Sequence, residues 1–177
     1  MRDRINRSPR LLGLTAAGAL SLVLSACAVA QQRTAYSFSA ATQAKYTEQH
    51  VLDVADMPGH QIRIGTINTK YPNGAPVFDG VKATESNAWV SSDYINGNGR
   101  FTQYVVLQME NGDKIYQFIE GHLQTTAGKA AYTTVTTLRG GTGKFTAIRG
   151  LIRGSGVTDF KTGPSPNPSE GEYWFDK

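Results

Sequence analysis

Cysteine is almost absent from this sequence of 177 residues: Cys27 is the only one, so the chain cannot form an internal disulfide. Histidine is also scarce. His50, His60 and His122 are not separated by two or four residues, the spacings that bring two metal ligands to one face of a strand or helix. We therefore predict no metal and no cofactor, although a metal site assembled from separate strands stays open.

Several catalytic and nucleotide-binding patterns are missing as well. Gly140–Lys144 looks like a phosphate loop, but Leu138 stands where a P-loop has its first glycine and Phe145 follows the lysine. The dinucleotide-binding pattern of three spaced glycines also fails. The sequence has no G-x-S-x-G motif, so nothing supports a serine hydrolase. We interpret this glycine-rich segment as a tight turn with a short helical turn near Gly143–Ala147.

The N-terminus has the order of a secretion signal. A basic segment precedes Leu11–Ala26, which is uncharged, rich in Leu and Ala, and shorter than the roughly 20 residues that a spanning helix needs. No later run is longer, so we expect the mature chain not to cross a membrane. The basic segment carries four arginines: Arg2, Arg4, Arg7 and Arg10.

The end of this signal, Leu24-Ser25-Ala26-Cys27, resembles the lipobox of bacterial lipoproteins. The resemblance implies that residues 1–27 form a signal peptide with a lipobox and that Cys27 becomes the lipidated first residue. Ala28 is not the aspartate that retains lipoproteins at the inner membrane, so we expect a periplasm-facing lipid anchor at the outer membrane. The alternative is ordinary cleavage and a periplasmic or secreted protein, because small residues around Ala30 also fit a cleavage site.

Removing the signal also removes most of the excess positive charge. The whole chain has 18 Lys and Arg against 14 Asp and Glu, and residues 1–27 hold four Arg and one Asp. The remainder therefore has 14 basic and 13 acidic groups, a net charge of about +1. Because nucleic-acid binding needs clustered basic residues, we predict no nucleic-acid partner. We expect the lipid on Cys27 to be the only membrane contact.

The rest of the chain predicts one all-β domain. Residues 28–44 are rich in Ala, Gln, Ser and Thr and are interpreted as a flexible tether. Residues 45–177 alternate β-branched or aromatic segments with Gly, Asn, Asp and Pro. Val81–Ile95 is two strands or one with a bulge, and Asn96–Gly99 and Asn111–Asp113 predict hairpin turns. We predict eight antiparallel strands closed into a barrel, which removes exposed edges. An open sandwich is the alternative.

Three segments resemble a known group of folds. Thr137–Gly150, with its Gly-Gly-Thr-Gly-Lys-Phe sequence, is similar to a segment of allene oxide cyclase-like and dirigent-like proteins. Asn111–Ile115 and Glu170–Phe175 resemble the same group, especially its exported bacterial members. The resemblance implies a calycin-like eight-stranded barrel with an axial cavity, and a homo-oligomer as in plant members. Plant cyclases isomerise a fatty-acid epoxide and dirigent proteins guide phenolic radical coupling, but no catalytic residue of either matches here.

Glu120 is the best single candidate for a catalytic residue. It shares one face of the strand Lys114–Leu123 with Tyr116, Phe118 and His122, because side chains two apart point the same way. If that face lines the interior, desolvation raises the pKa of Glu120 and fits it for general acid or base catalysis. The opposite face is aliphatic, with Ile115, Ile119 and Leu123, and the sequence leaves open which face is inside.

Aromatic residues on three predicted strands suggest a pocket for a small apolar ligand. The candidate ligand-binding residues are Trp89, Tyr104, Tyr116, Phe118 and His122, and Glu85 and Asp93 are further inner-wall candidates. Three functions stay open: a non-catalytic binding or scaffold protein of the cell envelope, a cofactor-free isomerase or cyclase of an apolar substrate, and an oligomeric structural protein whose barrel is filled by side chains.

Overall fold

The computed structural model describes residues 31–159 and 161–177, and they form one antiparallel β-sheet with a single 3₁₀ turn. The predicted signal peptide and Cys27 lie outside the described residues. Within the described part, no helix is long and apolar enough to span a membrane. The strands are β1 Thr34–Ala40, β2 Gln43–Asp53, β3 His60–Lys70, β4 Val77–Phe78, β5 Val81–Ile95, β6 Asn98–Met109, β7 Lys114–Thr126, β8 Lys129–Gly141, β9 Ile148–Asp159, β10 Gly163–Pro164 and β11 Asn167–Phe175.

The prediction of an all-β antiparallel fold is confirmed, but the prediction of eight strands closed into a barrel is corrected. The sheet runs in the order β1-β11-β9-β8-β7-β6-β5-β3-β2, with β10 paired to β9 and β4 to β5. Within the described residues, β1 pairs only with β11 and β2 only with β3, so no ladder joins the two ends. The count is also higher than eight: there are nine strands on the main path of the sheet and two more, β4 and β10, that are only two residues long.

Strand β1 lies in the segment that was predicted to be a flexible tether, residues 28–44. It pairs with β11 from Thr34 opposite Tyr173 to Ala40 opposite Asn167. Tyr36 and Ala40 are buried and Phe38 is half-buried, while the two serines between them are exposed. The Tyr36 ring stacks on Phe78 at 4.8 Å. Apolar residues two apart in a polar background are therefore enough to order this segment as an edge strand.

The main hydrophobic core lies at one end of the sheet, where β6, β8 and β11 end and β7 and β9 begin. The 3₁₀ turn Gly143–Phe145 places Phe145 over this end, and β4 does the same with Phe78. Both rings are fully buried, which stabilises the fold by about 1.5–3 kcal/mol each. The other fully buried large side chains of the described residues are Leu107, Ile115, Leu138 and Ile148.

The alternation along β5 identifies the two faces of the sheet. Every second residue from Ser86 to Tyr94 is buried, whereas Trp89, Ser91 and Asp93 between them are exposed. The buried set includes Ala88 and Val90, which pack in a second, smaller cluster away from the main core. β5 is one strand with an irregularity between Ala83 and Glu85, in agreement with the bulge considered from sequence. The buried set thus defines the inner face.

Candidate functional site

The inner face of the sheet lines a cavity of about 530 Å³ that is open to solvent. Phe38 of β1 and Ala44 and Tyr46 of β2 line it, although these strands are the two ends of the sheet. Only two residues join β1 to β2, so the chain itself holds the ends together at that point. The sheet therefore curls around the cavity without a closed ladder. The volume is within the range of about 300–1,000 Å³ that small-molecule sites occupy.

Apolar and tyrosine side chains dominate the wall of this cavity. Ala88, Val90, Val105 and Ile119 form its aliphatic part. Its polar groups are hydroxyls and amides, and no described residue that lines the cavity carries a charged side chain. The tyrosines of the wall are Tyr46, Tyr71, Tyr94 and Tyr132, and the amides are Gln103, Gln117 and Asn167.

Burial keeps three of these phenols, those of Tyr71, Tyr94 and Tyr132, protonated. Desolvation raises the pKa of Tyr132 to about 12, and it also raises the pKa of Tyr71, whose hydroxyl donates to Ser86 Oγ at 3.0 Å. Burial also raises the pKa of Tyr94. The Arg63 guanidinium, 5.6 Å from the centre of the Tyr94 ring, partly opposes this increase. A phenol whose pKa is far above neutral donates hydrogen bonds but is a poor general base. The wall is suited to holding a neutral molecule.

Glu120 lies on the opposite face from this cavity. Ile119 and Leu123 line the cavity and Ile115 is part of the main core, so the aliphatic face of β7 is the inner one. Glu120 is exposed. The face of β7 that carries Glu120 does not line the interior, so the desolvation that was to fit Glu120 for acid or base catalysis is absent. Glu120 stays a candidate only for chemistry on the outer face.

The predicted aromatic residues do come together, but on the outer face. Trp89 lies opposite Tyr104, and Tyr104 lies opposite Phe118, so three neighbouring strands contribute one row. The Tyr104 and Phe118 rings are 5.0 Å apart, and the Arg139 guanidinium lies 4.1 Å from the centre of the Phe118 ring. Trp89 is 52% and Tyr104 58% exposed. Tyr116 is exposed beside this row, and a ligand-binding role for these residues stays a prediction.

A second groove, of about 1070 Å³, includes Glu120 and His122 in its lining and shares seven of its lining residues with the inner cavity. Their strand neighbours in the groove are Thr102 and Arg100 on β6, and Arg153 and Glu170 extend its charged lining on β9 and β11. Among the described residues, none of these charged side chains forms an ion pair. The lining of the second groove therefore includes residues of both charges, whereas no charged residue is among those that line the inner cavity.

His60 is the centre of a separate polar cluster. Its Nδ1 lies 2.5 Å from Asp56 and its Nε2 lies 2.8 Å from Asp93. Hydrogen bonds to the two carboxylates raise the pKa of His60, and the bond to His60 lowers the pKa of Asp56. Asp93 is one of the exposed residues of β5, so it lies on the outer face and not on an inner wall. Glu85, the other inner-wall candidate, accepts a hydrogen bond from Asn68. The cluster ties the β2–β3 turn to β5.

Sequence reasoning missed most of the residues that line the cavity. Tyr132 and Asn167 come from β8 and β11, which are not neighbours in the sheet, and Tyr71 follows the end of β3. The only usable signal was alternation on β8, where Tyr132, Thr134 and Thr136 share the face of buried Leu138. No family model and no curated protein matches this chain.

Proposed function

We propose that this is a cell-envelope protein that binds a small, mainly apolar and uncharged ligand in its inner cavity. The single observation that carries the proposal is the cavity of about 530 Å³, with its aliphatic and tyrosine wall and no charged side chain among the described lining residues. An unpaired charge is costly to bury in such surroundings, so the wall favours neutral molecules. The size fits a drug-sized molecule.

Binding is better supported than the two alternatives. An isomerase or cyclase that moves protons needs a carboxyl or imidazole group near its substrate. Glu120 and His122 alternate on β7 with the residues that line the cavity and so lie on its other face. A structural protein with a filled interior would leave no such cavity. The resemblance to allene oxide cyclase-like and dirigent-like proteins agrees with a curled antiparallel sheet around a cavity, and we retain it as part of the proposal.

The location is a proposal from the sequence alone. We infer that residues 1–27 direct export and that a lipid on Cys27 anchors the protein to the outer membrane, facing the periplasm. Native mass spectrometry of the full chain purified from a bacterial envelope tests this and reports any homo-oligomer. The expected product begins at Cys27 and carries the lipid mass. A product that begins at Gln31 without added mass contradicts the anchor and supports simple secretion.

Two substitutions on neighbouring residues of β2 test the cavity. Ala44 lines it and is exposed enough to accept a larger side chain, whereas Lys45 is the adjacent residue on the other face. We expect Ala44→Trp to weaken binding of the neutral dye prodan at least tenfold, because the indole occupies ligand space. Lys45→Trp is the matched control and should bind prodan like the wild type. Equal affinities for the two variants would contradict the proposed site.

A further inference from the structure

The polar end of the cavity is formed by Asn167 and Tyr132. The Asn167 amide oxygen is buried and has no hydrogen-bond partner among the described residues. Buried polar atoms are nearly always paired, so an isolated acceptor next to a cavity needs an explanation. Asn167 is also one of the residues that line the cavity, which makes a bound molecule the natural partner.

Tyr132 supplies the complementary group beside this oxygen. Its hydroxyl and the Asn167 oxygen both lie against Gly156, in the space that a side chain at that position would fill. Gly156 is directly opposite Tyr132 on β9, the strand between β8 and β11. The hydroxyl forms no hydrogen bond with a described residue, and its raised pKa, caused by burial, keeps the proton in place. Tyr132 is therefore an unused donor next to an unused acceptor.

The two groups together specify the chemistry of the ligand. The Asn167 oxygen requires a donor, and the Tyr132 hydroxyl requires an acceptor. A neutral hydroxyl group is both at once, whereas a ketone or ether would leave the Asn167 oxygen unpaired. A carboxylate or ammonium group would meet no opposite charge, because the described wall of the cavity holds none.

We propose that the ligand of this cavity is an apolar molecule with a neutral hydroxyl group, which docks between Tyr132 and Asn167. This inference rests on the proposed function and adds the class of ligand to it. The apolar body lies against Ala88, Val90 and Val105, and the hydroxyl donates to the Asn167 oxygen and accepts from Tyr132. Gly156 is required because any side chain there would displace both groups.

Displacement of prodan by two molecules of the same shape tests the proposal on the full chain. The probes are 1-adamantanol and 1-methyladamantane, which differ by a hydroxyl in place of a methyl group. We expect the alcohol to bind about 3- to 10-fold more tightly, the gain typical of one or two hydrogen bonds. In Tyr132→Phe and in Asn167→Leu this preference should fall towards one, while the affinity for 1-methyladamantane stays unchanged.

Tyr71→Phe is the matched control, since it also removes a cavity hydroxyl, but one already bonded to Ser86. It should keep the preference for the alcohol. Equal binding of the two probes to the wild type, or a preference that survives in both the Tyr132 and Asn167 variants, would overturn the hydroxyl proposal and leave the cavity function intact. If neither probe nor prodan binds the wild type, the proposed function itself fails. Tyr132→Phe removes one oxygen only, so its melting temperature reports whether the fold is retained.

Discussion

Gly121 on β7 should not tolerate even a methyl group. A Cβ there would lie 2.8 Å from Cε1 of Phe101 and 2.8 Å from the backbone oxygen of Thr133. Phe101 is directly opposite Gly121 and only 8% exposed, so its ring occupies the space that the glycine leaves. Gly121 has an ordinary strand conformation, and the obstacle to alanine is therefore crowding and not backbone strain.

The expected magnitude follows from two opposing effects. Replacing glycine by alanine in a strand raises the free energy of unfolding by about 0.5–1 kcal/mol, because the unfolded chain then has less conformational entropy. Overpacking a buried contact costs about 1–3 kcal/mol. We therefore expect Gly121→Ala to lower the free energy of unfolding by about 1–2 kcal/mol, and the melting temperature by about 2–8 °C for a domain of this size. Circular dichroism during heating and urea unfolding measure both quantities.

Gly154→Ala is the matched control. A Cβ at this glycine lies 2.7 Å from the Thr134 hydroxyl, which can rotate away, and its next contact is at 3.6 Å. Without an overpacking cost, this variant should be as stable as the wild type or more stable by up to about 1 kcal/mol. Adding Phe101→Leu to Gly121→Ala should recover about 0.5–1 kcal/mol relative to the sum of the single changes. A Gly121→Ala protein as stable as Gly154→Ala, or strict additivity with Phe101→Leu, would refute the crowding argument.

Two further predictions concern groups outside the cavity. The raised pKa of His60 adds stability that is complete below its ordinary value of 6.5 and is lost as the pH rises through the folded value. The lowered pKa of Asp56 adds stability that is complete above 3.8 and is lost as the pH falls through its own folded value. Urea unfolding of His60→Asn and of the wild type at several pH values tests this, and the variant should be most destabilised between pH 4 and 6.5. A difference in the free energy of unfolding that stays constant from pH 5 to 9 would contradict the prediction. Glu120→Gln should leave both stability and prodan affinity unchanged, because Glu120 is exposed and faces away from the cavity. A tenfold loss of affinity would place the ligand instead in the second groove, whose lining includes Glu120.

Local signals in the sequence predicted local structure well. Asn96 and Gly97 both have positive φ and join β5 to β6, as the hairpin prediction required, and Gly112 turns the chain between β6 and β7. The short helical turn near Gly143 is also confirmed. These features depend on residues that are close together in the chain, so their causes are visible in the sequence.

The orientation of the strands could not be predicted in the same way. Both faces of β7 are apolar, since Tyr116 and Phe118 alternate with Ile115 and Ile119. The inner face is determined by the curl of the whole sheet and by pairing between strands far apart in sequence. The polar end of the cavity has the same origin, because Tyr132 and Asn167 meet only across Gly156. No local pattern could have placed these three residues together.

The pairing of β1 with β11 has a consequence for the order in which the protein folds. Thr34 lies opposite Tyr173, so the first described strand depends on nearly the last residues of the chain. A polypeptide that emerges from a ribosome or a translocation channel N-terminus first delivers β1 long before β11 is available. Contacts between such distant residues carry the largest loop-closure entropy and form slowly. We expect the β1–β11 ladder to form last, so that Tyr36 and Phe38 stay accessible to chaperones until β11 has emerged.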